Sequence, residues 1–454
     1  MEMALFPFPS RSTAYVLAAA LAGAAASGPS SAAEQGLSLI RDAEVENIIR
    51  AYAAPLFKAA GYGTDEIKIH IIADKSLNAF VAEGLNMFFH TGLLVRAEQP
   101  DQVMGVIAHE LGHITGGHLA RREDALRVAR RQTWAAVVLG AAAAIATGRG
   151  DAAAAVVSGG AQLARANLLQ YSRTQESAAD AAGLSFMDDS GVSAEGLRNF
   201  FRILEGQELL APQRQEPYLR THPLTRERIA FVDSHVATSP NTGRPPPQFD
   251  EMHRRMRAKL IAFLEPEGET QRRYKESDPS LESRYARAIA AYRKPDLPRA
   301  LALIDQLIAE QPDDPYFHEL KGQMLFENGR IEESVASYRE SVRLLPSSGL
   351  LRTMLAQAQL EVQDSAVVPE VLAGLNEARR LDPDNLLTLR LLAVAHGRKG
   401  DIGMSALSLA ELAAASGRIS EARGQAERAL RTLPKDSPGH RRAQDLKDEL
   451  ERED

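Results

Sequence analysis

VMGVIAHELGHITGGH, residues Val103 to His118, sets His109 and His113 one helical turn apart with Glu110 between them. Residues four apart share a helix face, so the two imidazoles can grip one cation while Glu110 faces water at the metal. Two neutral histidines suit Zn²⁺, one ion per chain. Glu110 is then the general base of a peptide-bond hydrolase. Around the motif, Val103, Ile107, Leu111 and Ile114 recur at helical spacing, and Pro100 and Asp101 stand where a helix would start. Gly112, Gly116 and Gly117 are tolerated there only if close packing compensates their entropy cost.

Two histidines leave a catalytic zinc short of a third protein ligand. The helical stretch YSRTQESAADAAGLSFM (Tyr171 to Met187) supplies candidates, because Glu176 and Asp180 stand four apart on one face. Glu176 is expected as the third ligand. Asp180 is expected to accept the second ring N–H of a liganding histidine and so fix its tautomer.

A chain of 454 residues exceeds one hydrophobic core, so two or three domains are expected. Its net charge of −7, with no basic cluster, argues against a nucleic-acid partner. Cysteine is absent, which excludes thiol nucleophiles, disulfides and thiolate ligands. At the N-terminus, Arg11 precedes the apolar run AYVLAAALAGAAA (Ala14 to Ala26), and Ser31-Ala32-Ala33 offers a signal-peptidase pattern. The run is too short to span a bilayer. Residues 1–33 are therefore expected to be a cleaved export signal, which places a bacterial protein in the periplasm.

The remaining pattern orders the chain. Leu37 to Ala60 reads as a helix, and IKIHIIA (from Ile67), LNAFVAEG (from Leu77) and MFFHTGLL (from Met87) read as two or three strands. Asn78, Ala79 and Phe80 are candidates for an edge strand that holds substrate extended, with a plain structural strand as the alternative. The apolar runs Thr133 to Gly148 and Asp151 to Ala164 are each too short for a membrane span. They are expected to form either a buried hairpin or an apolar surface, with Trp134 at its edge, that covers the site or makes peripheral membrane contact. TSPNTGRPPPQ (Thr238 to Gln248) reads as a linker, followed by one helix from Met252 to Leu264. Beyond it Ala288, Ala300 and Pro312 match Gly322, Ser334 and Pro346 at a 34-residue tetratricopeptide period, with Gly329 at a turn. A third unit ends three residues late at Pro383, which implies an insertion near Val362 to Ala366, and three more helices follow between Leu386 and Leu433. The expected fold is mainly α, with a small sheet in a zincin-like peptidase domain over 34–237. A linker with one helix over 238–280 and an all-α tetratricopeptide-type solenoid over 281–454 complete it.

HELGH, then QESAAD about sixty residues later, THPLTRERI (Thr221 to Ile229) and a helical-repeat tail together resemble the periplasmic β-barrel assembly-enhancing metalloproteases, grouped with HtpX and the CAAX-prenyl endopeptidases. The resemblance covers nearly the whole chain after the export signal. It implies that His109, His113 and Glu176 bind zinc, that Glu110 is the catalytic base, and that Asp180 acts as a proton donor, a role compatible with orienting a ligand. It also implies that His222 lies on a loop over the site, where it can fill the fourth zinc position and keep the enzyme latent. The proline after His222 independently argues for extended backbone there. Arg228 is expected either to pair with Asp180 or to steady an oxyanion. His118 matches no ligand of the family. Substrates implied are unfolded or misassembled outer-membrane proteins, and the partner implied for the repeats is the outer-membrane assembly machinery. The alternatives are a chaperone-like adaptor with little proteolysis and an integral-membrane peptidase; the short apolar runs count against the latter.

Overall fold

The computed structural model describes residues 38–452, apart from 83–84, 148–149, 242–244 and 363. The export signal expected over 1–33 lies outside the described residues. Contacts divide the chain into two compact units that meet in sequence between Leu260 and Ile261.

The first unit opens with β1 (Leu39–Ile40), where a continuous helix from Leu37 was expected. The helix begins later, as α1 (Ala43–Ala59), because the Asp42 side chain accepts from the Val45 N–H and caps it. Strands β2 (Lys68–Ile72), β3 (Ala79–Ala82) and β4 (Asn86–His90) follow. The sheet order is β1-β2-β4-β3, with β2 and β4 parallel and β3 antiparallel to β4 along one edge. Its inward residues Ile69, Ile71, Val81, Met87 and Phe89 are buried.

After the short α2 (Thr91–Arg96) comes α3 (Pro100–Thr115), which carries the HExxH motif. It starts with proline in its first turn, and the Gln102 side chain reaches back to accept from the Gln99 N–H at 3.0 Å. Two long helices, α4 (His118–Thr147) and α5 (Gly150–Asp189), then run out and back as a hairpin. Trp134, Leu139 and Leu163 on it are exposed, so these side chains do not form the buried hairpin that was one of the two expectations. No helix among the described residues is long and apolar enough to cross a membrane.

The unit is completed by α6 (Glu195–Leu204), α7 (Pro217–Thr221), α8 (Arg226–Thr238) and the greater part of α9 (Pro247–Leu264), within which the division falls. The last of these was expected as a linker helix. It instead packs on the first unit, where Lys259 pairs with Asp42 and Glu44, Arg255 pairs with Glu44, and the His253 ring meets the Ala97 carbonyl at 2.8 Å.

The second unit is wholly helical among the described residues. It comprises α10 (Glu267–Arg273), α11 (Leu281–Arg293), α12 (Leu297–Glu310), α13 (Pro315–Glu327), α14 (Ile331–Leu344) and α15 (Gly349–Glu361), then α16 (Val368–Leu381), α17 (Leu386–Arg398), α18 (Ile402–Ala415), α19 (Ile419–Thr432) and α20 (Pro438–Arg452). Neighbours in sequence pack as neighbours in space, as in a repeat array. The small residues of the 34-residue period sit where paired helices cross: Ala288, Ala300 and Ser334 are fully buried, and Ser334 Oγ donates to the Gly322 carbonyl at 2.8 Å. Asp296, Asp314, Ser348, Asn385 and Asp401 each cap the helix that follows, which sets the helix boundaries. The insertion expected near Val362 to Ala366 is a single extra turn, Ser365–Val367, ahead of α16.

Candidate metal centre

The centre is built where α3 and α5 cross, and the crossing is unusually close. A Cβ on Gly112 would lie 2.4 Å from the Ala179 carbonyl oxygen, and one on Gly183 would lie 2.9 Å from that of Ala108. Only hydrogen fits at either position. This contact lays the Glu176 and Asp180 face of α5 directly against the His109 and His113 face of α3.

His109, His113 and Glu176 are joined there by His222, and one donor atom from each of the four falls within 4.8 Å of the others. His109 Nε2 lies 3.1 Å from His113 Nε2 and 3.3 Å from Glu176 Oε2, while His113 Nε2 lies 3.4 Å from Glu176 Oε1. His222 presents Nδ1 to the group, 3.2 Å from Glu176 Oε2 and 3.3 Å from His109 Nε2. Its Nε2 points the other way, 3.4 Å from Glu110 Oε1.

The loop bearing His222 is fixed to the sheet and to α8. Glu216 accepts from the Leu77 N–H at 2.8 Å and pairs with Arg96 at 2.6 Å, which anchors the start of α7. His222 ends α7 outside the helical region (φ −126°, ψ 77°), in keeping with the proline that follows it. Thr225 then caps α8 by accepting from the Arg228 N–H, so Arg228 turns inward within the first turn.

Arg228 closes the cluster from behind. Its Nε and Nη2 donate to Asp180 at 2.6 and 2.8 Å, and its Nη1 lies 3.0 Å from Glu176 Oε2. Asp180 Oδ1 also accepts from His109 Nδ1 at 2.8 Å. Both oxygens of Asp180 are therefore engaged in a fully buried site. Burial opposes ionisation of Asp180, but the Arg228 hydrogen bonds outweigh it and hold its carboxyl below the usual range. Glu176 is held well below its range too; burial again opposes this, and the His222 charge with hydrogen bonds from His109 and His113 overcomes it.

The donor set fits a divalent cation. With Asp180 accepting from Nδ1, the free lone pair of neutral His109 is on Nε2, and it faces the ring nitrogen of His113 at 3.1 Å. Two lone pairs facing each other beside a carboxylate are unfavourable unless a cation lies between them. Without one, protons compete for the same atoms. Burial disfavours a charged His109, yet hydrogen bonds to Asp180 and Glu176 push its imidazole up to about 9. His113, with burial dominant and two neighbouring histidines adding to it, is pushed down to about 3.

Glu110 makes only the 3.4 Å approach to His222 among these contacts. It is fully buried, neither carboxylate oxygen has a hydrogen-bond partner among the described residues, and burial pushes its carboxyl up against the opposing charges of His222 and His109. Of the expected edge-strand residues, Ala79 and Phe80 open β3 at the sheet edge, whereas Asn78 precedes the strand and its buried side chain turns toward His90 at 3.5 Å. Sequence reasoning missed Tyr218, whose buried ring lies 4.6 Å from the His222 ring and whose hydroxyl has no partner among the described residues. It also assigned nothing to His118, whose Nδ1 lies 2.9 Å from His113 Nδ1.

Comparison with known proteins gives one family match within each unit. Residues 39–236 match Peptidase family M48, and residues 285–349 match a tetratricopeptide repeat. The chain is 27% identical over 255 residues to the putative beta-barrel assembly-enhancing protease of Vibrio cholerae, covering 54% of this chain and 51% of that protein. It is 24% identical over 365 residues to the beta-barrel assembly-enhancing protease of Yersinia pestis, covering 78% of this chain and 73% of that one. With the mitochondrial metalloendopeptidase OMA1 of Schizosaccharomyces pombe it shares 25% identity over 173 residues, 38% of this chain and 48% of that protein. The chain thus spans about half the length of the Vibrio relative that it matches.

Proposed function

We propose that this chain, a peptidase family M48 domain followed by tetratricopeptide repeats, is a zinc-dependent endopeptidase of the bacterial periplasm that degrades misfolded or stalled outer-membrane proteins and assists their assembly through its repeats. The observation that carries the reading is the convergence of four buried donors beside a buried carboxylate that has no other partner. His109, His113 and Glu176 hold the ion, and Zn²⁺ suits two imidazoles and a carboxylate. Bound there, it supplies Lewis acidity that acidifies water and polarises a peptide carbonyl.

Glu110 is the general base. Its oxygens are uncommitted and burial raises their proton affinity, so Glu110 can accept a proton from water and pass it to the leaving amine. Asp180 acts chiefly by orienting His109, since both its oxygens are engaged and its carboxyl stays ionised; a separate role as proton donor would require it to leave Arg228. Arg228 neutralises Asp180 and steadies Glu176 rather than reaching an oxyanion. β3 is the outermost strand of the sheet, and main-chain groups on its outer side at Ala79 and Phe80 would hold an extended substrate, which suits a protease that must accept many unfolded sequences.

One observation favours a latent enzyme over a constantly active one: His222 already stands in the fourth donor position, with its other nitrogen toward Glu110. In that state the protein would act as an adaptor until the loop moves. The test is zinc content by elemental analysis together with casein cleavage, for wild type beside Glu110→Gln. Equal zinc with roughly 10²-fold or greater loss of turnover is expected for removal of a general base; a fully active Glu110→Gln protein would sink the assignment.

A further inference from the structure

His118 lies outside the four-donor group, yet it is buried and bound to it through His113. The chain brings it there by an abrupt turn. After α3 ends at Thr115, Gly117 adopts a left-handed conformation (φ +59°), and His118 starts α4 with its ring folded back over the turn. Gly116 leaves the space for that ring, since a Cβ there would lie 2.3 Å from His118 Nε2. The His118 carbonyl accepts from Gln175 Nε2 at 3.2 Å, and Gln175 also donates to the Tyr171 hydroxyl at 2.7 Å. Gln175 directly precedes Glu176, so the turn is tied to the helix that brings the third donor.

Two ring nitrogens 2.9 Å apart share one proton between them. His113 Nε2 faces the cluster and needs its lone pair to coordinate an ion, so in the neutral ring the proton belongs on Nδ1. His118 Nδ1 is then the acceptor, and the proton of His118 sits on Nε2 above Gly116. We propose that His118 is a positioning residue that fixes the tautomer and ring plane of His113, as Asp180 does for His109. This rests on His113 being a metal ligand.

The two supports differ in charge. Asp180 is a carboxylate whose charge Arg228 offsets, while His118 is a neutral acceptor and brings no charge to its ligand. Glu176 is thus the one anionic donor in the group, and a divalent ion held there keeps net positive charge. That leaves charge on the ion to polarise a substrate carbonyl.

The experiment uses the full chain with His118→Phe, which keeps a ring but removes the acceptor, and His118→Asn, whose Oδ1 falls near the position of Nδ1. Zinc affinity is measured by chelator competition, and the visible spectrum of the Co²⁺-substituted protein reports ligand geometry; far-UV circular dichroism checks the fold. His118→Phe should bind zinc about 10–100-fold more weakly with an altered Co²⁺ spectrum, and His118→Asn should return to within about threefold of wild type. Wild-type affinity in His118→Phe, or a loss in His118→Asn as large as in His118→Phe, would overturn the inference. His113→Ala is the control for the underlying reading. Stoichiometric zinc in that variant overturns the ligand assignment itself, whereas loss of zinc there with none in His118→Phe overturns only the role of His118.

Discussion

Arg228→Met tests the electrostatic design of the centre. In the native protein one guanidinium, itself buried, serves two buried carboxylates, with bonds of 2.6 and 2.8 Å to Asp180 and a 3.0 Å contact to Glu176. Methionine preserves much of the packing against Phe201, over which the guanidinium carbon sits at 5.1 Å. The variant leaves Asp180 with only the His109 N–H, and Glu176 with histidines that compete for the same protons. Breaking a buried pair from one side costs about 3–5 kcal/mol. For a unit of this size that is a fall of roughly 6–20 °C in melting temperature. Zinc should shrink the loss, because the ion takes over Glu176 and leaves only Asp180 undercompensated. The pH dependence has a definite sign. Both carboxyls are held below their ordinary values of 3.8 and 4.5, so their contribution is present above those values and fades as pH falls through the lowered ones. The gap between wild type and variant should therefore be full at pH 7 and narrow in acid. Urea unfolding followed by circular dichroism, on zinc-free and zinc-saturated protein, reads this directly. A zinc-free variant within about 1 kcal/mol of wild type at pH 7 would refute the account.

Three further outcomes follow from the same geometry. Zinc must displace the proton that His109 holds up to about 9, so affinity by chelator competition should rise about 10²-fold from pH 6.5 to 8.5, while the zinc-free protein loses the stability this proton confers as pH climbs from 6.5 through 9; a flat affinity profile would remove His109 from the ligand set. His222→Ala should keep its zinc and cleave casein faster than wild type if the imbalance toward latency comes from His222 in the fourth donor position, and an equal or lower rate would end the latch hypothesis. A truncation ending at Glu265 should bind zinc and fold but fail to complement a null strain's outer-membrane defects, whereas one ending at Ala237 should also be unstable, because it strips Arg255 and Lys259 from buried Glu44; full complementation by the longer truncation would refute recruitment through the repeats.

Much of this was legible in the sequence for a plain reason: its signals are local. His109 and His113, like Glu176 and Asp180, are pairs four apart on one helix, and helical geometry alone sets each pair on a common face. The tetratricopeptide period is likewise a nearest-neighbour property, so the buried Ala288, Ala300 and Ser334 were found from spacing. The failures come from contacts that spacing cannot carry. Helix α9 reads as a linker helix because its charges look solvated, yet Lys259 and Arg255 are buried against acids that lie about two hundred residues earlier in the chain. β1 is too short for any period to register and exists only because β2 pairs with it.

His118 shows how a single backbone angle can hide a site residue. Continued as helix, a residue five beyond His113 would be rotated by about 140° and would point away from the face that carries His109 and His113. The helix does not continue: Gly117 enters the left-handed region, and the residue that helical arithmetic turns outward is carried back to within 2.9 Å of His113 Nδ1. The clue was present in the paired glycines, but glycines at a helix end ordinarily mean only termination. What distinguishes this pair is that one supplies the turn and the other supplies the vacancy into which the imidazole folds. On the role proposed for His118, substitution of Gly116 by alanine should disturb His113 through His118 without touching any donor atom.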